Sequence, residues 1–118
     1  TFDDSTFAMS PAQLQQMQAE VNKMRNARFV LQTNPNRFWH PEDRPLTFGG
    51  DAMVAVEGMF SGGVVADVTW DGKHHVLNKL GRMIKVSVND EGVTHRPLRT
   101  GDRVRIGNTK FRYEVVSD

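Results

Sequence analysis

An all-β sandwich with one short α-helix ahead of it is the fold class that this sequence of 118 residues predicts. Three observations carry that prediction. From Leu46 to Val116, short runs rich in Val, Phe, Thr and Ile alternate with glycine-bearing turns, which is the texture of a sandwich or barrel. Asp71-Gly72 stands between two of those runs as a two-residue hairpin signal. Helical periodicity is confined to one stretch, residues 12–26.

Residues 1–9 are acidic and polar with two Phe, and read as a flexible tail. The predicted helix spans 10–26. Ser10 is a capping residue, and Pro11 at the first helical position loses nothing, since its missing N–H has no partner in a helix anyway. Ala12 to Asn26 is rich in Gln, Ala, Met, Glu and Lys, all good helix formers. Leu14, Met17, Val21 and Met24 fall on one helical face in heptad register. Two heptads do not hold a coiled coil alone. The stripe therefore packs on its own domain or, continuing from upstream, pairs two copies of the chain. The sandwich domain is expected over 27–118. Arg28–Thr33 reads as its first strand, and Asn34–Pro45, with three Pro and two Asn, as a loop. The further strands expected are Leu46–Phe48, Met53–Val56, Val64–Trp70, His74–Leu77, Met83–Val88, Arg103–Ile106 and Lys110–Val116.

Composition removes several function classes. There is no cysteine, so disulfides, thiol nucleophiles and Cys-ligated zinc or iron–sulfur clusters are out. The net charge of +1 points in bulk neither to nucleic acid nor to a membrane. The charge is nevertheless uneven: residues 79–112 carry +6 and the rest −5. No apolar run approaches the ~18 residues of a membrane span, and no signal peptide is visible. A chain that opens at Thr1 reads as part of something longer, and the expected setting is intracellular.

The C-terminal third has a specific shape. Val88-Asn89 is followed by Val93, Leu98, the run Gly101-Asp102-Arg103-Val104-Arg105-Ile106-Gly107, and Phe111-Arg112-Tyr113. Gly101-Asp102 makes a tight turn, Val104 and Ile106 alternate inward, and Arg103 and Arg105 alternate outward. This pattern resembles the end of a forkhead-associated (FHA) domain, a sandwich of the SMAD/FHA-like class. Earlier segments follow in the same order: Leu46-Thr47-Phe48-Gly49, Ala66-Asp67-Val68 and Leu80-Gly81. The resemblance covers roughly residues 28–116.

FHA domains read phosphothreonine, and the resemblance says where the phosphate ligands would stand. The family's Arg falls on Gly50. Its Ser falls on Gly62, with Ser61 beside it, and the His that braces the site falls on Val65. Its loop Asn falls on Ile84. A phosphate needs several charge-assisted donors. With each worth roughly 1.5–3 kcal/mol, three replacements cost about 5 kcal/mol, enough to abolish micromolar binding. The resemblance thus implies a degenerate FHA domain, its fold kept and its phosphothreonine pocket lost. Arg82 and Lys85 are new cations in the same loop, taking positions that hold Ser or Thr and Gly in the family. They suit either two solvated side chains or a rearranged pocket for an acidic or phosphorylated peptide.

Other constellations are weaker. His74 and His75, adjacent on a strand, face opposite sides and cannot share a metal; His40 and His95 stand alone. Gly58 to Gly63 lacks the Lys-Ser/Thr of a phosphate loop, and Ser61 has no evident base. Arg96, Arg99, Arg103 and Arg105 suit a basic stripe, with Arg103 and Arg105 on one strand face; it reads as a solvated β face, then as a site for an acidic partner, and last as a nucleic-acid site, since no aromatics are interleaved. Trp39, in a Pro-rich loop, is either a lid on the sandwich or an exposed anchor.

The expected function is a non-enzymatic protein-interaction module of a larger scaffold, cytoskeletal or cell-division protein. FHA domains preceded by coiled coils occur in kinesin-like motors and in centrosome or kinetochore proteins, and that context is analogy alone. The expected partner-binding residues are Ser61, Arg82, Lys85, Trp39, Arg103 and Arg105. Leu14, Met17, Val21 and Met24 form the expected helix interface of a homodimer. No cofactor, metal or membrane is expected. The rival readings are a phosphopeptide reader using Arg82 and Lys85, and a purely structural dimerisation domain.

Overall fold

The computed structural model describes residues 11–12, 14–15, 26–41 and 44–115. Eleven strands run in order: β1 Ala27–Leu31, β2 Phe38–Trp39, β3 Leu46–Gly49, β4 Val54–Ala55, β5 Ala66–Trp70, β6 His75–Lys79, β7 Val86–Val88, β8 Glu91–Gly92, β9 His95–Pro97, β10 Arg103–Ile106 and β11 Thr109–Val115. They form a six-stranded sheet, β2-β1-β11-β10-β7-β8, and a five-stranded sheet, β4-β3-β5-β6-β9. All ladders are antiparallel except β3–β4, which is parallel.

Alternation of side chains sets which face each strand buries. In β10, Val104 and Ile106 are buried while Arg103 and Arg105 are exposed, as expected for an edge between core and water. In β11, Phe111 and Tyr113 turn inward and Lys110 and Arg112 outward. The centre is aromatic: the Phe48 ring lies edge-on to Phe29 and to Phe111, both at 5.4 Å. Tyr113 packs on Phe29 at 5.2 Å. Tyr113 also ties the two sheets together, because its hydroxyl and His75 Nδ1 lie 2.7 Å apart.

Three short strands were not expected. Phe38–Trp39, taken from sequence as part of a loop, adds to the edge of β1, pairing Phe29 with Trp39 and Val30 with Phe38. A two-residue strand has no period to read, so only pairing reveals it. The same holds for Glu91–Gly92, and the three residues His95–Pro97 are also too few to show a period. Conversely, Met83–Lys85, expected as strand, precede β7 outside any strand, Met83 and Ile84 in a bend, and the expected start at Val64 moves to Ala66. Helical backbone is present at Pro11, Ala12, Leu14, Gln15 and Asn26, and Leu14 is exposed. Met17, Val21 and Met24 lie outside the described residues, as does the tail over 1–9.

Candidate functional site

Three loops meet at one end of the sandwich: 50–53 after β3, 56–65 before β5, and 80–85 between β6 and β7. Backbone hydrogen bonds lock them together. Gly50 N–H donates to Ser61 O at 2.6 Å, and Val65 N–H to Phe48 O at 2.8 Å. The amides of Leu80 and Gly81 both donate to Val65 O, at 2.8 and 2.9 Å. Gly49 is required by this closeness, since a Cβ there would sit 1.8 Å from Gly63 O.

The residues singled out in sequence divide sharply here. Gly50 and Gly62 are exposed and bring no side chain. Val65 and Ile84 are core residues, 3% and 1% exposed. Ile84 fills the space left by two glycines: a Cβ on Gly81 would lie 3.0 Å from Ile84 Cγ2, and one on Gly107 3.2 Å from its Cδ1. Ser61 is half-buried and its hydroxyl donates to Gly58 O at 2.8 Å, closing the turn within its own loop. Arg82 and Lys85 are both exposed, but only Lys85 lines the groove that runs along β7, together with Arg105.

Around them the loop end is apolar. Met59, Phe60, Val64, Leu80 and Met83 are all exposed. Phe60 also has a φ of 65°, a left-handed conformation that a bulky aromatic residue rarely adopts. Such an outlier costs of order 1–3 kcal/mol and persists only where neighbouring structure imposes it. Sequence reasoning missed this surface. The available signal was the density of Met and Phe in a glycine-rich loop, where a core face has no strand to sit on.

The remaining expected residues lie elsewhere. Trp39 is half-buried with its ring 5.8 Å from that of Phe111 and the Arg37 guanidinium over it at 5.4 Å, so it acts as a lid on the sandwich edge. Arg103 is exposed and stands 3.5 Å from Asp90. Arg105 Nε donates to Gly107 O at 2.9 Å. On the outer face of this sheet Arg103 stands opposite Arg112 and Arg105 opposite Lys110, whereas Arg96 lies on β9 of the other sheet. His74 is exposed and His75 buried, on opposite faces as expected. Burial pushes the His75 imidazole down to about 4, so it is neutral at pH 7. Among the described residues no group of three His, Asp or Glu is placed to hold a metal ion.

No protein-family model and no curated protein matches the sequence. Solved structures do match by shape. The FhaA FHA domain, solved in complex with the intracellular domain of Rv3910, superposes with a TM-score of 0.66 at 20% identity, covering 75% of this chain and 99% of that one. The FHA domain of the CT664 protein from Chlamydia trachomatis gives 0.67 at 16% identity, covering 77% and 98%. EmbR of Mycobacterium tuberculosis, solved with a low-affinity phosphopeptide, gives 0.70 at 17% identity; all of this chain matches 33% of that one. Strand order, sheet pairing and these likenesses agree with the pattern around Asn89 and Gly101-Asp102: this chain has the FHA fold.

Proposed function

We propose that this domain is a protein-interaction module that binds its partner without recognising phosphothreonine. The observation that carries the reading is the burial of Val65 and Ile84. They occupy the positions at which the FHA resemblance expects a bracing His and a ligand Asn, and their side chains belong to the core instead. With glycine at 50 and 62, the loop end offers no arginine and no hydroxyl at the other two expected positions. What it offers is exposed Met, Phe and Leu, the residue types of a docking surface, beside the cations Arg82 and Lys85. The FhaA FHA domain has been solved with a protein domain and EmbR with a phosphopeptide, which supports a polypeptide as the partner class here.

The test is a titration against a phosphothreonine peptide library and its unphosphorylated twin, followed by NMR. The expected outcome is no phosphate-dependent shift at Gly50, Gly62 or Arg82. Phosphate-dependent shifts there would overturn the reading and make Arg82 and Lys85 a rearranged phosphate site.

A further inference from the structure

A groove runs along the flank of the sandwich, lined by β7, the end of β8 and the 93–94 link, by Lys79 at the end of β6, and by Arg105 of β10. It has a volume of about 460 Å³. Its lining divides by chemistry. Val93 supplies a half-buried aliphatic side chain, the core residues Ile84 and Val86 lie beneath it, and Met83, largely exposed, stands at the loop end. Lys79, Lys85 and Arg105 supply three cations, while no Asp or Glu lines it. The adjacent Glu91 stands 3.7 Å from Arg96, and Lys110 lies across the ladder from Arg105, so the surroundings add positive charge rather than cancel it.

We propose that this groove is a docking site for an acidic peptide segment that also carries aliphatic side chains. The occupant follows from charge and shape together. Three cations around a cleft without a carboxylate leave a positive potential that an acidic chain neutralises, raising both its affinity and its association rate. The apolar floor gives an aliphatic side chain a place to leave water, which a bare phosphate or a fully charged strand does not use. Nucleic acid fits less well, because no aromatic side chain lines the groove for a base to stack on. The exposed Leu80 and Met83 lie in the loop that enters the groove, so the cleft is continuous with the apolar loop end. The proposal rests on the phosphate-independent reading above for its biological sense, but not for its geometry.

The experiment uses a labelled peptide in which Glu and Leu alternate, a second in which Gln replaces every Glu, and a single-stranded oligonucleotide of equal charge. The Glu peptide is expected to shift the resonances of Met83, Lys85, Val93 and Arg105, and to bind more weakly as salt is raised. The double variant Lys85→Glu/Arg105→Glu, at two exposed positions, is expected to weaken it about tenfold or more while the fold is kept. Met83→Ala is expected to weaken it less. Equal binding of the Gln peptide, shifts confined to Phe60 and Leu80, or tighter binding of the oligonucleotide would each overturn the proposal. Failure of the phosphate-independent reading looks different: it shows as phosphate-dependent shifts at Gly50, Gly62 and Arg82, outside the groove.

Discussion

The corner at Asn89 and Asp102 and the loop end at Gly50, Val65 and Ile84 both match FHA positions, and they have gone opposite ways. At the corner the side chains do what the pattern promises. Asn89 Nδ2 donates to Asp102 Oδ1 at 3.0 Å, Asn89 Oδ1 accepts from Arg103 N–H at 2.9 Å, and Asp102 Oδ2 accepts from Arg99 N–H at 2.8 Å. Gly101 N–H donates to Tyr113 O and Tyr113 N–H to Asp102 O, which fastens the corner to β11. Each of these groups satisfies a backbone donor or acceptor that any chain of this shape must satisfy. At the loop end the matching positions hold two glycines and two buried aliphatics, and the loops still close, through backbone hydrogen bonds between them and the Ser61 hydroxyl on Gly58 O, none of which uses a side chain at those four positions. The difference teaches that the fold constrains the corner through side-chain hydrogen bonds, and constrains the loop end through backbone hydrogen bonds and packing that leave the side chains at 50 and 62 open.

That comparison breaks most visibly at Ile84. Ile84→Asn, which restores the family's residue type, is expected to lose roughly 3–4 kcal/mol, as a buried aliphatic is replaced by an unpartnered amide. The midpoint of urea unfolding at unchanged slope measures it. A loss below about 1 kcal/mol would mean that the position is not part of the core after all.

Asn89→Ala comes next, at about 2 kcal/mol, because it removes two side-chain hydrogen bonds at a residue whose φ of 52° favours Asn or Gly. Asn89→Gly keeps the backbone conformation and loses less, so thermal unfolding of the pair separates the hydrogen bonds from the turn.

The third effect is a pH dependence beside the corner. His75 lies against Tyr113 and the Trp70 ring, with Trp70 Nε1 and His75 Nε2 buried without a hydrogen-bond partner. Its pKa is lowered from 6.5 to about 4, chiefly by burial. Between those values the unfolded chain binds the proton that the folded chain refuses. Stability is therefore fully present above about pH 6.5 and falls as the pH drops toward about 4. Denaturation midpoints of the native chain and of His75→Gln across that window are expected to diverge, with a flatter profile for the variant.

The smallest effect is at the loop end itself. Phe60→Gly relieves the left-handed backbone and removes an exposed ring, so the melting temperature is expected to stay level or rise. A marked drop would show that the ring packs on the sandwich and is not held out for a partner.

Much of this molecule was written in local pattern. The alternation in β10 and β11, the Asp71-Gly72 turn and the Gly101-Asp102 corner are each legible, because side-chain period and turn chemistry act over a few residues. The shared outward face of Arg103 and Arg105 is legible for the same reason. Which residue types stand at 50, 62, 65 and 84 is likewise read directly from the sequence.

Only the tertiary structure decided where those residues went. It turned Ile84 inward over Gly81 and Gly107, contacts made with residues as far as the start of the β10–β11 turn, which no local period records. It made Trp39 a lid by pairing a two-residue strand with β1, and it brought Lys79, Lys85 and Arg105 from three separate segments to one cleft. Backbone conformation follows from neighbours along the chain. Burial and charge clustering follow from neighbours in space, and in a sandwich those are set by which strands cross between the sheets.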